Sequence, residues 1–362
     1  MSTILYQPPA DPALLSQPPQ RPWRHKPRSF TTAVALAVIV PAVITAALFF
    51  LSPIPGAIVL VVVYFPLQLL ASGIAAWATR GVRGIADSVI IVNAIGATVF
   101  SFVVLASLIG SLIVRGLRAL SAHFVYQNSV YISPSTPLDY GGIGHALIGT
   151  ILVVAVATAV AVPIGIATAI YITEVRGRAV PYVRFFVQAM SGVPSVVAGL
   201  FILTIAVSTG WFSQNAFAGG LAYAILMLPT VARTAEEVLK LIPDELRTGA
   251  LALGSTRART VMRVVLPAAK TGIITAILLG IARVIGETAP LLLAAGNNDG
   301  TVLNPFGQAI ASIPVYIFNN VAVPYPDAVA RAWGAALVLM ILIAVLFTVA
   351  RFLGRGRVGR AK

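Results

Sequence analysis

The segment Ile277–Gly296 reads ILLGIARVIGETAPLLLAAG. Nearly every residue in it suits a lipid bilayer, yet Arg283 and Glu287 stand four apart in its middle and Pro290 follows three residues later. A charged side chain at the centre of a membrane helix costs roughly 2.5–3.5 kcal/mol on insertion scales, and more without a partner. At 1.5 Å per residue, a helix rising from Lys270 reaches Arg283 after about 20 Å and Glu287 about 6 Å later, near mid-bilayer. The spacing of four puts both groups on one helical face, where they can pair with each other or across a bundle. Two readings follow. The pair fixes helix register, with little net stabilisation, or Arg283 faces a pathway through the membrane. Pro290 is expected to kink the helix.

Composition sets the class around this segment. Hydrophobic residues make up 58% of the 362, only 10% are charged, and mean hydropathy is +0.93. A soluble domain of this length has no core large enough to bury so much apolar surface. The chain reads as an all-α, polytopic helical membrane protein. It contains no cysteine, which excludes disulfides and thiolate metal sites. His25, His123 and His145 stand apart without ligand spacing and read as structural, so no metal site is expected. Residues 1–29 are polar and proline-rich, unlike a cleaved signal, and read as a disordered cytoplasmic tail.

Eight apolar runs are long enough to span a bilayer of about 30 Å. They fall at 30–52, 54–78, 87–114, 143–173, 185–208, 217–238, 270–295 and 333–353, and SPIPG alone separates the first two. With the N-terminus inside, 21 of the 25 lysines and arginines lie on the cytoplasmic side. That bias places both termini in the cytoplasm. The net charge of +14 is therefore mostly topology, with some attraction to anionic lipid heads, and nucleic acid is a poor partner for it. Aromatic residues along the spans are expected to face lipid or form interfacial belts.

One long cytoplasmic connection, Arg233 to Lys270, is the strongly charged region of the chain, with Glu236, Glu237, Asp244 and Glu245 beside its basic residues. Pro243, Asp244 and Glu245 read as a helix start, with acids where the helix dipole favours them. A short helix of small residues follows, Gly254-Ser255 ends it, and Arg257, Arg259 and Arg263 lie on a second helix leading to Leu266-Pro267. Such a glycine-bounded helix suits docking into a partner's groove. It equally suits an amphipathic connector on the membrane surface.

TGALALGSTRARTVMRVVLPAA resembles the EAA loop of ABC-importer permeases. Gly254 holds the loop's glycine, Val264 its isoleucine-like position, and Leu266-Pro267 its close. The Glu-Ala-Ala triplet is replaced by Thr248-Gly249-Ala250, with Glu245 one turn upstream. SGVPSVVAGLF (191–201), ARVIGETAPLLL (282–293) and GGIGHALIGTILVV (141–154) are similar to the permeases of the bacterial phosphate-specific ABC importer. GETAPLL points to its PstA branch within the type I importer family. The resemblance covers 87–353 and implies a six-helix permease core, with a coupling loop at 239–267. The hairpin 30–78 is an addition, and 354–362 a basic cytoplasmic tail.

The resemblance implies that the chain forms half of a translocation path for inorganic phosphate, in a bacterial plasma membrane. Arg283 and Glu287 would line the path, since guanidinium recognises phosphate through bidentate charge-assisted hydrogen bonds. Thr288, Ser191, Ser195 and Thr150 are further candidates. Glu245, Thr248, Gly249, Ala250, Gly254, Arg257, Leu266 and Pro267 would couple the chain to an ATPase. No lysine follows a glycine anywhere, so a Walker A loop is absent and the chain is not expected to be an enzyme. ATP and Mg would sit on the partner ATPase, and no cofactor is expected in this chain. Implied partners are a PstC-like homologous permease, two PstB-like ATPases, a PstS-like extracytoplasmic binding protein and membrane lipid. Alternatives are a permease for another oxyanion and a secondary anion transporter. The latter would need internal repeats that the sequence does not display.

Overall fold

The computed structural model describes residues 28–51, 56 and 59–354. The tail up to residue 27, most of the SPIPG turn and the basic tail beyond Gly354 lie outside the described residues. Among the described residues every regular element is helical. Six helices are long and apolar enough to cross a membrane, or up to eight if each of two bent pairs counts as one span. The chain divides into two units, up to Leu108 and from Ile109 onward.

The first unit holds α1 (Arg28–Leu51), α2 (Phe65–Arg80) and the greater part of α3 (Val82–Gly116). A π-helical turn, Val59–Tyr64, leads into α2. α1 packs against α2, and Gly96 of α3 gives the Phe65 ring room that a Cβ would occupy. Large apolar side chains such as Leu36, Val43, Ile90 and Phe102 point outward, as a lipid-solvated surface requires. The unit boundary falls inside α3, so its first part groups with the hairpin.

In the second unit, α5 (Gly144–Ile170) and α8 (Ala216–Lys240) form the central pair. Small residues let the backbones approach, as they do where lipid provides no hydrophobic drive for helix association. A Cβ on Gly220 would meet Val156, and one on Gly165 would meet Val231. α11 (Lys270–Val284) packs on the same pair, with Gly280 against Val231 and Met227 and Gly272 against Val238. At the Gly144 end of α5, the side expected to be extracytoplasmic, lie the short α4 (Ala122–Tyr126), α13 (Ile313–Val321) and the start of α14 (Pro326–Gly354). On the cytoplasmic side lie α9 (Asp244–Ala252) and α10 (Arg257–Ala268).

Two of the eight expected spans are not continuous. The run 185–208 is divided into α6 (Val180–Ser191) and α7 (Ser195–Ile202, prolonged by a π-helical turn to Val207), which meet at 101°. Pro194 explains the stop: it has no N–H to continue the ladder and excludes Val193 from helical geometry. The run 270–295 stops at Val284 and resumes as α12 (Ala289–Ala294). The expected proline kink is thus a break placed before Pro290, which sits in the first turn of α12, where a missing N–H costs nothing. α10 meets α11 at 74°, so the coupling segment turns away from the span that follows it.

Candidate functional site

The break after α11 changes the geometry expected of Arg283 and Glu287. Arg283 is on the last helical turn, whereas Glu287 belongs to the unwound stretch, so the two do not share a helical face. Among the described residues neither side chain makes an ion pair or hydrogen bond. α11 uses Ala276, Gly280 and Val284 to pack inward, and Leu278, Ile281 and Ile285 meet Ile343 and Leu346 of α14. Thr275, Leu279 and Arg283 recur every fourth residue along the remaining, exposed face. Arg283 therefore stands at the end of an open stripe.

The turn itself is held from behind. Tyr223 of α8, fully buried, donates its hydroxyl to the backbone carbonyl of Glu287. That carbonyl is one of those the break frees, and in a dry interior it needs a donor. The expectation that span aromatics face lipid fails at Tyr223, because this internal acceptor draws it into the core. Thr288 caps α12 by position only; its hydroxyl makes no capping bond, and its carbonyl accepts from Leu291 and Leu292.

The second break lies against the first. A Cβ on Gly199 of α7 would come within 2.6 Å of the Pro290 Cα, so the two half-helices touch backbone to backbone. Ser195 opens α7, half-buried, and Ser191 closes α6 with its hydroxyl donated to the Val187 carbonyl at 3.0 Å. Thr150 lies deeper than the two serines. It is 2% exposed, its hydroxyl donates to the Ala146 carbonyl at 2.8 Å, and it accepts from the Ile313 N–H at 2.9 Å. With these two bonds it ties α5 to α13.

The cytoplasmic loop has the helices its punctuation foretold. α9 starts after Pro243, its N-cap, and Gly254 ends it at φ +81°, a conformation that favours glycine. No residue of α9 is buried, Gly249 faces open space, and Leu246, Leu251 and Leu253 project outward. Glu245 and Arg257 are exposed too, and Thr248 returns its hydroxyl to the carbonyls of Asp244 and Glu245. Leu266 and Pro267 stand where α10 approaches α11.

The base of α9 rests on a residue the sequence did not single out. Arg247 meets Glu174 at 2.8 Å and Asp244 at 3.0 Å, and donates to the carbonyls of Leu239 at 2.9 Å and Ile242 at 2.6 Å. One guanidinium thus joins α9 to the cytoplasmic ends of α5 and α8. The hydrogen bond to Glu174 is the chief cause that raises its pKa above an already high value, against the opposing effect of burial. Beside it, Glu236 of α8 pairs with Arg184 of α6 at 2.8 Å and with Lys240 at 2.6 Å. Arg331, near the start of α14 and 1% exposed, donates to the carbonyls of Thr136, Pro137 and Tyr140, pinning the extracytoplasmic loop. His145 is buried edge-on to Tyr316, in keeping with a structural role.

Residues 161–358 match the family described as "Binding-protein-dependent transport system inner membrane component". Over 207 residues the chain is 44% identical to the Phosphate transport system permease protein PstA 1 of Mycobacterium tuberculosis (strain CDC 1551 / Oshkosh), covering 57% of this chain and 68% of that protein. It is 41% identical over 259 residues to PstA of Mycobacterium leprae, covering 68% and 84% of the two chains. With PstA of Haemophilus influenzae the identity is 37% over 247 residues, covering 66% and 83%. Among solved structures, one of the inward-facing MetNI methionine ABC transporter overlaps 59% of this chain and 93% of its own, at 16% identity and a TM-score of 0.48.

Proposed function

The chain belongs to the binding-protein-dependent transport inner-membrane components and, within them, to the PstA permeases of phosphate transport systems, and from that premise we propose a division of labour among its parts. It is a multi-pass membrane permease subunit of an ATP-driven importer whose cargo is inorganic phosphate. The site residues carry the cargo, the exposed α9 receives the ATPase, and the chain performs no covalent chemistry of its own.

One observation carries the assignment of the path. Arg283 comes about 20 Å along a helix that rises from the cytoplasmic face, and it stands on an open stripe with no ion-pair partner among the described residues. An unpaired guanidinium at that depth is far too costly to face lipid. Its open face therefore meets a water-filled path or the subunit that closes it. A guanidinium there takes phosphate through two parallel hydrogen bonds. Glu287, on the adjacent turn, limits how tightly the anion is held, because a path must release what it accepts. Thr288 and Ser195, whose hydroxyls have no partner among the described residues, offer neutral hydrogen bonds beside it.

The partners complete this half-path. A PstC-like permease covers the open stripe, a PstS-like binding protein delivers phosphate from outside, and two PstB-like ATPases bind ATP and Mg. One ATPase seats α9 by its exposed leucines and the small residues at Gly249 and Ala250. The complex resides in the bacterial plasma membrane. ATP-driven motion of α9 then passes through Arg247 to α5 and α8, and so to the breaks they support.

Uptake of labelled phosphate into vesicles carrying the assembled complex tests the path. Arg283→Gln should abolish ATP-dependent uptake while assembly and ATP hydrolysis persist. Undiminished uptake by that variant would remove Arg283 from the path.

A further inference from the structure

A cavity of about 620 Å³ opens at the cytoplasmic end of the second unit, away from the breaks in the membrane. Its cationic wall is Arg176, Arg184, Lys240 and Arg247, with Asp244 as the one acid, and its other wall is apolar: Ile172, Val180, Pro181 and Ile242. A smaller cavity of about 250 Å³ adjoins it, shares Arg184 and Lys240, and adds Arg233 together with Glu236 and Glu237, of which Glu236 pairs with both shared cations.

The half-helix in front of these cavities is built for an interface. α6 meets α7 at 101°, so when α7 runs across the bilayer α6 runs along its surface. Tyr182, Phe185 and Phe186 of α6 are all more than 60% exposed, and Arg178 and Arg184 flank them. Exposed aromatics beside arginines on a short amphipathic helix are the pattern of a segment lying at headgroup level.

Arg176 is the unusual member of the wall. It occupies the left-handed region at φ +53°, just past the end of α5, where glycine or asparagine is the unstrained choice. Gly177 is the very next residue, yet the strained position keeps a guanidinium. Its Nε donates to the Thr173 carbonyl at 2.9 Å, which orients the fork and leaves its Nη atoms available. A strained residue held by its surroundings points to a ligand role.

We propose that this cavity is a binding site for the phosphate group of an anionic phospholipid of the cytoplasmic leaflet. The headgroup phosphate lies on the open Nη atoms of Arg176, beside the half-exposed Arg184 and Lys240 that Glu236 also holds, and its acyl chains leave along Val180, Pro181 and the α6 aromatics. Free phosphate would meet the same cations but has no use for the apolar wall, which is why the lipid is the occupant. Because the site adjoins Asp244 and Arg247, an occupied site would brace the root of α9.

The test uses the full complex in nanodiscs of phosphatidylcholine with or without phosphatidylglycerol, with retained lipids counted by native mass spectrometry. Wild type should hold phosphatidylglycerol through exchange into neutral lipid. Arg176→Gln and Lys240→Gln should each weaken that retention about fivefold, near the contribution of one basic residue at an anionic surface. Arg176→Lys should keep it, as should Arg118→Gln at the opposite face. Lys240→Gln serves if Arg176→Gln does not assemble. Equal retention by all variants, or equal loss in Arg118→Gln, would overturn the site. Displacement of the lipid by millimolar inorganic phosphate would overturn the lipid assignment and give the cavity to a free anion.

Discussion

At the base of α9 the Arg247 guanidinium is occupied on every side, by two carboxylates and two backbone carbonyls. At the end of α11 the Arg283 guanidinium has none of these, although its surroundings are far more hostile to a bare charge. The first arginine sits where water could have solvated it and is nevertheless saturated. The second sits where only protein or a path can solvate it and is left open. A saturated guanidinium holds the fold together, whereas on the proposed reading an open one is kept for the cargo. Arg331 lies between the two: its Nη2 meets three carbonyls, while its buried Nε has no partner among the described residues.

The largest effect on stability should come from the saturated side. Arg247→Ala leaves Glu174 buried without its partner, and removing one member of such a pair costs about 3 kcal/mol. A lower unfolding midpoint of the purified complex, with weakened ATPase stimulation, is the expected result; an unchanged midpoint would collapse the distinction. Next comes the contact between the two broken spans. Gly199→Ala pushes a methyl group into the Pro290 backbone, and overpacking of this kind costs about 2 kcal/mol, read by the same unfolding assay.

Tyr223→Phe should be milder, about 1 kcal/mol or less, since hydrogen bonds inside membrane proteins average well under that figure. Its diagnostic effect is a Glu287 carbonyl without a donor, so uptake should fall more than stability does. Arg283→Gln should alter stability least, within about 0.5 kcal/mol as for an exposed side chain without partners. Uptake by the same variant should drop roughly a hundredfold, the scale for removing one preorganised donor to an anion. If that substitution destabilised the complex as much as Arg247→Ala does, the two arginines would not differ in kind.

Much of this was readable from the chain alone. The apolar runs, the charge bias, Pro243 with its two acids and Gly254 are local signals, and the spans and α9 follow them closely. The breaks were announced by Gly-Val-Pro and by Gly-Glu-Thr-Ala-Pro, but in sequence a proline at a stop and a proline at a kink look alike. Only tertiary packing, here Gly199 against Pro290, decides between them. Arg247 was not legible because its partner Glu174 lies 73 residues away. The structural bond of Thr150 was hidden for the matching reason: its acceptor role toward the Ile313 N–H spans 163 residues. Tyr223 likewise finds its acceptor only once the distant turn unwinds.

The convergence on Arg247 has a mechanical meaning as well. A loop joined to its helices only through backbone behaves as a free hinge, and a push at its tip is dissipated as bending. Four partners gathered on one planar group turn the root of α9 into a clamped joint. Force applied near Leu251 and Leu253 then arrives at α5 and α8 as torque, and α8, with Tyr223 on its far half, becomes the shaft that carries it to the Glu287 turn.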